Sequence, residues 1–75
     1  MIQISVEDLS YIVKRLLDHA RSTRDACKKN KDDTLEAGRH DGCYEMLDIL
    51  QCELEAAGVD LQEIGFDVDL LKELF

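Results

Sequence analysis

The sequence predicts an all-α protein, an antiparallel helical hairpin followed by a short helical tail. Proline is absent and only four glycines interrupt the 75 residues, which favours long helices over a turn-rich β fold. Apolar side chains recur at spacings of three and four along two long segments, as in amphipathic helices. A chain of this length forms a single domain, here residues 1–75.

The first helix is predicted over residues 6–29. Ser5 followed by Asp8 is a capping signature, because a serine hydroxyl accepts a hydrogen bond from the N–H three residues on. Asn30, a residue type that often ends helices, follows the last periodic position. Residues 1–4 alternate in polarity without an evident partner strand, so we expect an extended arm. The apolar stripe of the helix consists of Leu9, Ile12, Val13, Leu16, Leu17, Ala20, Thr23 and Cys27.

The second helix is predicted over residues 34–57. Asp33 followed by Glu36 is typical of a helix start, and Gly58 of the position after a helix end. The apolar arc of this helix is wide, because Met46 and Ile49 lie to one side of the main stripe. One neighbouring helix cannot cover such an arc, so a further element must pack on it.

The tail, about residues 60–75, is predicted to form two short helical turns that fold back over the hairpin. Asp60 and Asp67 are the expected caps, and Gly65 ends the first turn. The tail contains Leu61, Ile64, Phe66, Leu70, Leu71, Leu74 and Phe75. Because this is more apolar surface than a chain segment leaves in water, we expect it to pack against the helices.

A hairpin that turns at residues 30–33 places Leu16 opposite Leu47 and Ala20 opposite Gly42 and Cys43. Gly38 and Gly42 each reduce helix stability by about 1 kcal/mol relative to Ala. We therefore expect them to allow close approach of the helices, with Ala20 against Gly42. The expected helix-packing and interface residues are Leu16, Ala20, Gly38, Gly42, Met46, Leu47, Ile49, Leu50 and Leu54. Since one hairpin cannot cover all this apolar surface, we expect a homodimer with a four-helix arrangement.

The net charge of −8 is unevenly distributed. Residues 14–31 hold seven basic side chains against two acidic ones, and residues 32–75 hold thirteen acidic against two basic. We interpret this as an acidic half packed beside a basic half, with Arg21 and Arg24 paired to acids of the second helix or of a second chain. The alternative is that Arg21, Arg24 and Lys28 contact the phosphates of nucleic acid. Free cations would favour the alternative.

Two kinds of chemistry are poorly supported. Glu36, His40 and Cys43 share a face of the second helix and His19 lies within reach, but their spacing matches no strong zinc signature. We therefore expect a buried structural cysteine beside an exposed histidine, and no metal or other cofactor. Catalysis would need a nucleophile beside a base and a substrate pocket, which a hairpin of this size does not offer. The sequence indicates a protein that is not an enzyme.

No run of 18 apolar residues is present, which argues against a membrane span. The N-terminal residues lack the pattern of a signal peptide, and the three cysteines include no CxxC pair. These features predict a cytoplasmic protein with reduced thiols.

Residues 38–50 contain a spaced glycine pair, Tyr44-Glu45 and a run rich in Leu and Ile. This stretch resembles small helical proteins encoded on conjugative transposons and related mobile elements of Firmicutes. The resemblance implies a mobile-element context and no catalytic or ligand-binding residue. We expect a non-catalytic protein–protein interaction or structural module that acts through helical surfaces. The alternative is a small accessory regulator that contacts nucleic acid through the first helix.

Overall fold

The structure, a computed structural model, describes residues 3–75. These residues form three helices, α1 (Val6–Lys29), α2 (Thr34–Ala56) and α3 (Leu70–Leu74). The predicted all-α fold is therefore confirmed. The first helix has its predicted bounds, and the second ends one residue early because Ala57 is its C-cap. Of the predicted N-terminal arm, residues 1 and 2 lie outside the described residues, and residues 3–5 precede α1 without helical structure.

The predicted caps begin both long helices. The hydroxyl of Ser5 accepts a hydrogen bond from the N–H of Asp8 at 3.0 Å. The carboxylate of Asp33 accepts from the N–H groups of Leu35 and Glu36 at 3.0 and 3.2 Å. These acceptors satisfy N–H groups that have no partner within the helix, so the local sequence defines where each helix starts.

The end of α2 is a Schellman motif built on Gly58. The N–H of Val59 donates to the carbonyl of Leu54, and the N–H of Gly58 to that of Glu55, both at 3.0 Å. Gly58 has φ +90°, a left-handed conformation that favours glycine. The motif redirects the chain so that Val59 packs against the core and the tail turns back along the hairpin.

The tail folds back over the hairpin and forms one turn and one short helix, where two short helical turns were predicted. Asp60 caps a single turn over residues 61–65, which ends at Gly65 with φ +70°. Gln51 then donates to the carbonyls of Phe66 and Val68 at 2.8 and 2.9 Å, and this stretch has no helical structure. The predicted cap at Asp67 was therefore wrong, because the hydrogen bonds from Gln51 bind the carbonyls of residues 66 and 68, and α3 begins only at Leu70. The N-cap of α3 is Asp69, whose carboxylate accepts from the N–H of Lys72.

The core lies between the hairpin and the tail. Half of the buried apolar side chains of the core come from the tail, among them Phe66 and Leu74, which are both completely buried. The buried apolar side chains are Val13, Leu17, Ala20, Leu47, Ile64, Phe66, Leu70 and Leu74. The hairpin alone would therefore leave its central stripe without a covering layer, and the tail is an integral part of the domain.

Candidate functional site

The hairpin has two surfaces with different surroundings. The first, which we call the tail side, is covered by residues 59–75 and includes Leu17 and Arg21 of α1 and Gln51 of α2. The second, which we call the open face, is defined by Leu16, His19, Leu35, Gly42, Met46 and Ile49. Within residues 3–75, only side chains of α1 and α2 line the groove along this face.

The groove on the open face runs between α1 and α2 and has a volume of about 430 Å³. Leu16 and Leu47 both line it, as expected for residues that the predicted hairpin register places opposite one another. His19 and Arg39 are its only ionisable side chains apart from a cysteine. The complete lining is Leu16, His19, Arg39, Gly42, Cys43, Met46, Leu47 and Leu50. The floor is therefore almost wholly apolar.

Large apolar side chains around the groove remain exposed to solvent. Leu35, Met46 and Ile49 are 70%, 64% and 55% exposed, and Leu16 is 40% exposed. All four belong to the open face. Exposed apolar side chains concentrated on one face of a small domain are typical of an interaction site. The width of the apolar arc of α2 predicted that a further element would pack on this surface.

The two helix glycines do not hold α1 and α2 together. A β-carbon built on Gly38 or Gly42 meets no neighbouring atom within 4 Å. The expected close approach of Ala20 to Gly42 is therefore wrong. Ala20 is fully buried in the core, whereas Gly42 lies at the groove on the open face. Neither glycine has a packing role within the described chain, although each weakens the helix by about 1 kcal/mol.

The other expected packing and interface residues divide into two groups. Ala20 and Leu47 are buried in the core, and Leu50 and Leu54 pack partly buried against it. Leu16, Met46 and Ile49 are exposed on the open face. The second group, together with Leu50, which also lines the groove, can contact another molecule without unfolding of the domain.

Two basic side chains of α1, Arg21 and Arg24, contact the tail, whereas acids of α2 were the predicted partners. The guanidinium of Arg21 pairs with the carboxylate of Glu73 through two nitrogens, at 2.7 and 2.8 Å. Arg24 donates to the carbonyl oxygen of Glu73 at 2.7 Å and pairs with Asp25 at 3.1 Å. The α2 acids Asp41, Glu45, Asp48 and Glu53 form no ion pair within residues 3–75. The prediction of partners on α2 was therefore wrong, because α3 lies beside Arg21 and Arg24 and provides Glu73.

Two further cations of α1 differ in their surroundings. Lys14 pairs with Asp18 at 3.0 Å one turn away, and this hydrogen bond lowers the pKa of Asp18 below its ordinary value. Lys28, the third candidate for nucleic-acid contact, is exposed and has no carboxylate within 4 Å among the described residues. The three cations of the predicted phosphate-binding surface therefore differ. Arg21 and Arg24 contact the tail, whereas Lys28 has no carboxylate partner among the described residues.

His40 is buried, whereas an exposed histidine was expected. Its Nε2–H donates to the carbonyl oxygen of Leu74, and its ring centroid lies 4.6 Å from that of Phe75. Cys43, expected to be fully buried, is half-buried at the groove. Residues 3–75 contain no group of three or more His, Cys, Asp or Glu side chains arranged to hold a metal. His40 thus belongs to the contacts that fix the tail.

Comparisons of the chain with protein-family models, with curated proteins and with solved structures gave no significant match. The resemblance of residues 38–50 to mobile-element proteins therefore stays a prediction. In the part of the chain that the structure describes, no helix is both long enough and apolar enough to cross a membrane.

Proposed function

We propose that this protein is a non-catalytic helical interaction module that binds its partner through the open face of the hairpin. The observation that carries the proposal is the exposure of Leu35, Met46 and Ile49 on one face of α2 and of Leu16 on α1, with Leu16 and Met46 lining the apolar groove. The tail already covers the opposite side, so the domain has a complete core without this surface. Apolar area that the fold does not use is best explained by binding.

The proposed partner is a second copy of the chain, in a homodimer. Two hairpins that bury their open faces against each other form a four-helix arrangement, a common way to cover amphipathic helices. The three free cysteines fit a reducing compartment, for which we propose the cytoplasm. The stretch that resembles mobile-element proteins, residues 38–50, supplies most of the α2 part of the open face, and we propose that this surface is what the resemblance reflects.

The test is the molar mass in solution. Light scattering at micromolar concentration should give about twice the chain mass of 8.6 kDa. Met46→Glu should return the protein to the monomer mass, because a charge would be buried without a partner. The matched control is Leu71→Glu, which changes a side chain of similar exposure on α3, away from the open face. A wild-type monomer at all concentrations would contradict the homodimer.

The alternative, contact with nucleic acid through α1, has weaker support. Phosphate binding needs cations that are free to leave their present partners. Arg21 and Arg24 hold α3 through Glu73, so a phosphate would have to displace these contacts. The net charge of −8 also repels a polyanion.

A further inference from the structure

We infer that the open face binds a second copy of the chain with the two α2 helices antiparallel, around a two-fold axis at Met46. This inference rests on the proposed function and specifies the partner and its orientation. A two-fold interface requires a self-complementary surface, in which each residue meets its counterpart on the other side of the axis. The sequence of α2 can be tested for that property directly.

The charges of the open face are self-complementary in this arrangement alone. Arg39 is the only Lys or Arg of α2 and lies at the groove. By helical spacing, Glu53 is the acid of α2 that shares its face, and it has no cation within 4 Å among residues 3–75. Each lies seven residues from Met46, on opposite sides. Antiparallel pairing therefore places Arg39 of each copy opposite Glu53 of the other.

A parallel arrangement has the opposite electrostatics. It would place Arg39 beside its own counterpart and Glu53 beside its own counterpart, so that like charges repel at both positions. In the free chain, Arg39 has only one weak contact, to Glu36 at 3.4 Å on the same helix, and the guanidinium side chain is 54% exposed. It is therefore available for a pair across the interface.

The same register places a small residue opposite a large one. The two-fold at Met46 places Gly42 opposite Leu50 of the second copy, and Ile49 opposite Cys43. No atom of the described chain lies within 4 Å of a β-carbon built at Gly42, so this position leaves room for a side chain of a neighbouring helix. This gives the helix glycine a packing role that it lacks within the single chain. Two helices can approach closely where a small residue of one helix lies opposite a large residue of the other.

Cross-linking tests the register. Cys27, Cys43 and Cys52 are first replaced by Ser, and a single cysteine is then introduced as Met46→Cys or, as the control, Leu35→Cys. Met46 lies on the proposed axis, so two copies of that cysteine should be joined efficiently by a short bis-maleimide. Leu35 is equally exposed but lies eleven residues from the axis, so its two copies are about 33 Å apart in the antiparallel dimer. We expect covalent dimer for the first variant only.

Charge exchange provides a second, independent measurement. Arg39→Glu and Glu53→Arg alone should each weaken dimer affinity about tenfold, and the double variant should recover most of the loss. Sedimentation at a series of concentrations measures these affinities for the intact chain.

The outcomes separate the inference from the proposed function. Cross-linking of both cysteine variants would show a parallel pair and overturn the register. A dimer in which neither variant cross-links and the charge exchange has no effect would also overturn it, while leaving an interaction module with another geometry. A monomeric wild-type protein would overturn both.

Discussion

Replacing Gly42 by Ala tests whether any part of the same chain packs against the open face. The β-carbon of the new residue meets no atom within 4 Å, so neither a clash nor a new intrachain contact contributes. What remains is helix propensity, since Gly42 lies in the interior of α2. Alanine is favoured over glycine there by about 0.8–1.0 kcal/mol. We therefore expect the isolated chain to gain about 1 kcal/mol in its free energy of unfolding.

Gly58→Ala is the matched control because its β-carbon also meets open space. Its φ of +90° is a conformation that L-residues adopt only with strain of about 1–2 kcal/mol. The same substitution should therefore stabilise the protein at position 42 and destabilise it at position 58. Backbone conformation alone decides the difference in sign.

The assay is urea unfolding followed by far-UV circular dichroism, at a series of protein concentrations extrapolated to high dilution. The dilution removes any contribution from self-association, which adds to apparent stability. For a domain of this size, about 1 kcal/mol corresponds to roughly 4–8 °C in Tm. A loss of stability for Gly42→Ala at high dilution would refute the reasoning, because some part of the same chain would then have to pack against this position.

Further substitutions test the core, the tail contacts and the alternative function. Phe66→Ala should lower the free energy of unfolding by about 3–5 kcal/mol in urea titrations, because its ring is completely buried; a change below about 1 kcal/mol would mean that the tail does not pack on the hairpin. Arg24→Ala should cost more stability than Lys28→Ala, since only Arg24 donates to the tail backbone; equal melting temperatures would contradict this contact. Fluorescent single-stranded and duplex DNA at low salt should bind no tighter than about 10⁻⁵ M to wild type or to Arg21→Ala/Arg24→Ala/Lys28→Ala; salt-sensitive micromolar binding lost in the triple variant would favour the nucleic-acid regulator. Elemental analysis should find no stoichiometric zinc, and one metal per chain, abolished by His40→Ala, would disprove this expectation.

The boundaries of the two long helices could be predicted from the sequence because local interactions set them. Ser5 and Asp33 cap the helices through hydrogen bonds that span two or three residues. Gly58 ends α2 through a motif contained within six residues. The periodicity of apolar residues likewise predicted that the apolar arc of α2 is wider than one neighbouring helix covers, since a helix has a fixed rotation per residue. Met46 and Ile49, at one side of that arc, are exposed in the structure.

The partners of the charged and polar side chains were decided by the tertiary structure. Gln51 donates to the carbonyls of Phe66 and Val68, 15 and 17 residues away in sequence, and α3 begins only after them, at Leu70. Arg21 and His40 contact the tail, 52 and 34 residues away in sequence. Helical periodicity specifies the side of a helix on which a residue lies, but not which segment returns to cover it. Which side of the hairpin is exposed therefore depended on where the tail packed, whereas the sequence by itself determined the helix boundaries and the width of the apolar arc of α2.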